Sequence, residues 1–151
     1  MTLQERISEE MKSAMKKGDK LRLETLRFLR AQLHEKEISK RGKGGMTEDD
    51  QLAVLQNAVK KRKESIELFE RGGRMDLVEK EKKELEIVRE YLPSQLGSLE
   101  IEKAVRGVVE SVGAVSQEDF GKVMALAMKE LKGKAEGKMV QEAVKKVLEK
   151  T

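Results

Sequence analysis

The chain has no cysteine, no tryptophan, one histidine and one proline in 151 residues, and each scarcity closes a class of chemistry. Without cysteine there is no disulfide, no thiolate metal site and no thiol nucleophile, and the composition fits a reducing interior. His34 has no second histidine to build a zinc site with, and the Glu-x-x-His spacing of helical di-metal centres fails because position 31 is Ala. It is read as a structural or surface residue, and no metal or cofactor is expected. The aromatic residues are Phe28, Phe69, Tyr91 and Phe120, too few for a platform that stacks single-stranded bases. No segment has the apolar length needed to cross a bilayer. The N-terminal MTLQERISEEMK is charged from Glu5 onward and holds no stretch of signal length, so a cytoplasmic setting without a membrane partner is expected.

Charge is what the chain has in abundance. Charged residues make up 40% of it against 38% hydrophobic, and the helix formers Lys, Glu, Leu, Met and Ala dominate, a balance that favours amphipathic helices over sheet. The net charge of +4 is too even to argue for a general nucleic-acid binder. Its distribution is regional: residues 11–43 hold eleven Lys and Arg against four Asp and Glu, whereas residues 44–92 hold ten against twelve.

Apolar positions recur at helical spacing throughout. Leu3, Ile7, Met11 and Ala14 predict a first helix ending at Gly18, and Asp19 caps a second whose apolar line runs Leu26, Leu29, Leu33 toward Ile38. The RGKGG of residues 41–45 predicts a mobile loop. Thr47 with Asp50 forms a capping box for a third helix through Leu55, Val59, Ile66 and Phe69. After Gly72 and Gly73, a fourth helix from Met75 to Leu92 folds back as a hairpin and ends at Pro93. Beyond it, three shorter helices follow: one from Ser98 to Gly113, one opened by Ser116 and Asp119, and one from near Gly137. The valines of 105–112 lack strict alternation, so a strand is rejected. The expected architecture is all-α, with an N-terminal bundle of about four helices over 1–93 and a three-helix domain over 94–151.

Two features invite a phosphate-binding reading, each with a plainer alternative. KGKAEGK at 132–138 is not a Walker motif: three residues separate Gly133 from Gly137, Met139 follows the lysine, and a helix precedes it. It is either a flexible interhelical turn or a basic loop offering Lys132, Lys134 and Lys138 to a phosphate, with Gly137 near a helix N-terminus. On the second helix, Arg27, Arg30, His34 and Arg41 fall on a common face. They either follow a phosphate backbone or form a solvated face paired locally with Glu24 and Glu37. Glu48, Asp49 and Asp50 could hold magnesium, but a helix dipole explains them as well. Arg62 and Glu81 interrupt the apolar lines of the third and fourth helices at one level, which predicts a partly buried ion pair. No complete catalytic centre is found.

Three strings then stand out together: ERISEEMKSAMKKGDKLRLETLRFLRAQL at 5–33, REYLPSQL at 89–96 and DFGKVMALAMKELKGKAEGK at 119–138. In this order they resemble the YqeY-like family, stand-alone relatives of the tail domain of the GatB component of the glutamine-dependent aspartyl/glutamyl-tRNA amidotransferase. The resemblance covers essentially the whole chain. It implies a helical bundle with a three-helix tail, and tRNA as ligand class. An amidotransferase or tRNA synthetase complex is the implied partner, and DNA is not expected. It points to Gly121, Lys122, Met124, Lys132, Gly133, Lys134, Ala135 and Gly137, with Glu136 standing conservatively where the family commonly has Asp. It does not carry chemistry over, because in the amidotransferase tRNA activation and amide transfer belong to a larger body. A carbon–nitrogen ligase label with glutamine as donor would come by descent. The rival expectation is a protein-interaction adaptor that does not bind RNA.

Overall fold

The structure is a computed structural model that describes residues 1–93, 96–114 and 116–149. Its helices are α1 (Leu3–Lys17), α2 (Lys20–Lys40), α3 (Glu48–Arg71), α4 (Met75–Arg89), α5 (Ser98–Val112), α6 (Phe120–Glu130) and α7 (Gly137–Glu149). A 3-10 turn, Gln117–Asp119, precedes α6, and the described residues contain no strand, so the fold is all-α as expected. The backbone divides into two compact units, Met1–Leu92 and Pro93–Thr151. Ser94 and Gln95 of the YLPSQL joint lie outside the described residues.

In the first unit the helix starts are fixed by side chains that satisfy orphan backbone groups. Thr2 and Glu5 form a capping box, each side chain accepting the other's backbone N–H at 3.1 Å. Thr47 and Asp50 do the same at 3.1 and 3.0 Å, and Lys40 approaches Asp50 at 3.5 Å. That explains the acidic first turn of α3. The core unites Ile7 and Met11 of α1, Leu26, Leu29 and Leu33 of α2, Leu55 and Val59 of α3, and Leu85 and Val88 of α4. α3 and α4, joined by the short turn at Gly72 and Gly73, pack along each other.

α4 ends at Arg89, three residues before the expected Leu92. The N–H groups of Glu90, Tyr91 and Leu92 donate three residues back instead, to the carbonyls of Ile87, Val88 and Arg89 at 3.1–3.2 Å. Pro93 accounts for the tightening, since a proline ring disfavours helical backbone in the residue before it. The tighter turn swings Tyr91 inward to 6% exposure, and its hydroxyl donates to the Glu10 carboxylate. Arg22 donates to Glu10 at 2.7 Å and to Glu90 at 2.8 Å, while the Arg6 guanidinium lies 4.6 Å over the tyrosine ring. Burial resists ionisation of Glu10, but the hydrogen bonds from Tyr91 and Arg22 and the charges of Arg22 and Arg6 outweigh it and hold the carboxyl below its ordinary 4.5.

The lowered value sets a sign. A carboxyl with a depressed folded-state pKa adds stability above its unfolded value, and that stability is lost as pH falls through the folded value. Glu10→Gln should therefore be less stable than the parent at pH 7, and the difference should close below about pH 4.5, on the unfolded scale. Paired denaturant titrations across pH 3–7 check it; a gap that does not narrow on acidification would assign Glu10 a packing role only.

The expected pair of Arg62 with Glu81 is corrected. Arg62 is 8% exposed, but its Nε faces Glu84 Oε2 at 3.7 Å, and its Nη1 donates to the Ala58 carbonyl at 3.1 Å. Glu81 and Glu84 are three residues apart on one face of α4, so level along the hairpin does not decide between them. Glu81 has no ion pair among the described residues.

In the second unit, α5, α6 and α7 enclose Ile101, Val105, Val108, Val123, Ala127, Val140, Val144 and Leu148. The valine run belongs to α5. α5 starts at Ser98 as expected, with Gly97 as its N-cap, and the Ser116–Asp119 capping box opens the 3-10 turn that leads into α6. Glu102, 8% exposed, ties α5 to α7 through Lys146 at 2.8 Å and also meets Arg106 at 3.6 Å.

Candidate nucleic-acid interface

Residues 131–135 alternate in burial, and the alternation presents the lysines. Leu131, Gly133 and Ala135 are buried, leaving Lys132 and Lys134 exposed between them. The turn is held by the Lys134 N–H donating to the Leu131 carbonyl and by the Leu96 N–H donating to the Lys134 carbonyl, both at 2.9 Å. Gly133 lies at φ 75°, a left-handed conformation that side chains other than hydrogen rarely adopt. KGKAEGK is thus a built turn.

Gly137 opens α7, and the Glu136 carbonyl accepts the Val140 N–H at 3.1 Å. The first turn of α7 therefore directs N–H groups and the positive end of its dipole outward beside exposed Lys138. A Cβ at Gly137 would meet Met128 Cε at 3.6 Å, an ordinary contact, so packing does not demand glycine there. Lys122 is exposed but separate. It stands in the first turn of α6 while Lys132 lies beyond that helix's last residue, Glu130, and the stretch of helix between spans about 12 Å. Gly121 beside it has no atom within 4 Å of where a Cβ would stand.

On α2, Arg27, Arg30 and His34 are exposed. Arg41 is the C-cap, with φ −60° and ψ 131°, so it leaves the helix and the common face ends at His34. The expected local ion pairs are absent among the described residues. Arg27, Arg30 and Arg41 have no carboxylate within 4.0 Å, and Glu37 instead accepts from Gln4 at 3.1 Å. Lys122, Lys134 and Lys138 are likewise unpaired among the described residues. The loop of residues 41–45 turns through Gly42, Gly44 and Gly45, all at positive φ. The described residues contain no grouping of three acidic or histidine side chains able to hold a metal, and no helix among them is long and apolar enough to cross a membrane.

Two arrangements escape a reading of the sequence. One is the Glu10, Arg22 and Tyr91 network; the other is Phe28, 40% exposed, with the Arg62 guanidinium 5.1 Å from its ring centroid. Arg62 as a break in an apolar line is the available signal for the second. Glu10 lies seven residues after Leu3 and four before Ala14, on the edge of α1's apolar line, and that position is the available signal for the first.

The chain is 31% identical over 133 residues to a protein of Pyrenophora tritici-repentis named Altered inheritance of mitochondria protein 41, mitochondrial, covering 86% of this chain and 71% of that one. A protein of the same name from Lachancea thermotolerans is 37% identical over 89 residues, 57% of this chain and 46% of its own length. An uncharacterised protein of Schizosaccharomyces pombe is 32% identical over 97 residues, 64% of this chain and 77% of that one. The mitochondrial names overturn the cytoplasmic expectation, which rests on reading the first twelve residues for a signal. The profile described as Yqey-like protein matches residues 4–148, and the chain belongs to that family.

Proposed function

We propose that the protein is a tRNA-binding accessory protein that works beside a tRNA amidotransferase or a tRNA synthetase complex. One observation carries the reading: exposed cations of the α2 row and of the KGKAEGK turn, namely Arg27, Arg30, Lys134 and Lys138, stand without intramolecular partners among the described residues, in a chain that pairs other cations readily. Arg22, Lys40 and Lys146 all find carboxylates. The unpaired four keep their full charge for a phosphate backbone, together with the N–H groups that open α7. With few aromatics, recognition rests on phosphates and shape, which a folded RNA supplies and a flexible strand does not.

The test compares a folded tRNA with a single-stranded RNA of equal length across a salt series. The folded RNA should bind more tightly, with affinity falling as salt rises. Replacing Lys132, Lys134 and Lys138 with Ala should weaken it and flatten the salt dependence by about one unit of slope for each lysine that meets a phosphate. Equal and feeble binding of both RNAs would sink the reading. It would favour the adaptor, for which the exposed Leu99, Leu126 and Met128 of the second unit, at 79%, 40% and 36%, are the specific observation.

A further inference from the structure

Between α2, α3 and α4, within the first unit, lies a cleft of about 290 Å³ that none of the interface residues above enters. Its walls carry three carboxylates, Glu24, Glu81 and Glu84, against two cations, Lys61 and Arg62. Neither Glu24 nor Glu81 has an ion pair among the described residues. The excess of negative charge calls for a cation.

Arg62 makes a second and different demand. The residue is only 8% exposed, and its Nε–H has no hydrogen-bond acceptor, since Glu84 stands 3.7 Å away. A buried donor without an acceptor is unusual in folded proteins. A metal ion finds no grouping of three acidic side chains able to hold it among the described residues and would leave Arg62 Nε without an acceptor; an anion would answer Arg62 and be repelled by the carboxylates. One group meets both, an ammonium with a carbonyl oxygen one carbon away.

We propose that this cleft binds an α-amino acyl group, its ammonium among Glu24, Glu81 and Glu84, its carbonyl oxygen accepting from Arg62 Nε, and its side chain against Phe28. Phe28 is 40% exposed and only one face of its ring is taken by Arg62. The volume is at the small end of ligand pockets, enough for one residue and too little for a nucleotide. Burial, with the nearby Glu81 charge, pushes the Glu84 carboxyl up despite Arg62, as expected where a cation would be welcome.

The same chemistry is offered by a free amino acid amide and by the first residue of a polypeptide, and the probes separate them. Phe28 ring resonances of the full chain are followed by NMR while L-leucinamide, N-acetyl-L-leucinamide or the tripeptide amide Leu-Ala-Ala is added. Leucinamide should shift them saturably, and acetylation, which removes the charge, should abolish the response. Glu24→Gln, at an exposed position that folding does not need, should weaken binding about tenfold, and Glu81→Gln similarly, one lost charged partner being of that order. Leucinamide binding without the tripeptide assigns the cleft to free derivatives; tripeptide binding of equal or greater strength assigns it to chain N-termini. Acetylated and free amide binding alike, no saturable shift from any probe, or indifference to both substitutions overturns the proposal.

Discussion

Leu29→Ala should cost the first unit about 3 kcal/mol, among the largest losses available to a single side chain in this protein. Leu29 is wholly buried, within a core to which all four helices of that unit contribute. Removing three carbons there forfeits their transfer from water and leaves a cavity that the surrounding helices close only in part. In a unit of this size such a loss lowers the melting temperature by roughly 15 °C. The measurement is helped by composition. Tyr91 is the only tyrosine, there is no tryptophan, and Tyr91 lies in the same core, so its emission follows the unfolding of the first unit. A denaturation midpoint that moves by less than the equivalent of about 1 kcal/mol would mean that the bundle collapses onto the gap, at the low edge of what such substitutions do.

The second large effect is asymmetric. Glu84→Ala should destabilise by about 3 kcal/mol, because Arg62 then stays buried with its charge unanswered. Arg62→Met should cost less, since the aliphatic stem is kept and Glu84, already pushed toward its protonated form by burial and by Glu81, can be held neutral. The double replacement Arg62→Met with Glu84→Leu should recover most of the loss, as buried pairs exchanged for packed apolar groups commonly do. Tyr91 emission again reads all three. If Glu84→Ala costs under about 1 kcal/mol, Glu81 has taken the place of Glu84, and the hairpin tolerates either partner.

That pair also shows how far sequence reasoning reaches. A charge inside an apolar line is visible in the letters, so the burial of Arg62 is legible. Its partner is not, because Glu81 and Glu84 share a face and the two candidates differ by less than one helical turn. Helix starts are legible where a cap is written locally, as at Asp19 and Thr47, whose side chains accept N–H groups three residues on. The end of α4 is misplaced by periodicity because hydrophobic spacing continues to Leu92 while Pro93 bars the backbone from following it. In the candidate interface, the lysines of 132–138 can be found from composition, and the alternation of small or apolar residues with lysine already hints at which way each points. The separation of Lys122 from them is legible as well, since a helix opened by Ser116 and Asp119 is read ahead of the turn. Arg41 fails for a related reason: a helical wheel extended past the C-cap assigns a direction to a residue that is no longer helical.

The hydrogen bond from Leu96 to the Lys134 carbonyl gives the short segment ahead of α5 a mechanical meaning. Leu96, whose side chain packs against the core of the second unit, pins the backbone just ahead of α5 to the turn at Lys134. The basic turn is thereby fastened to the same stretch of backbone from which the first helix of the small unit sets out.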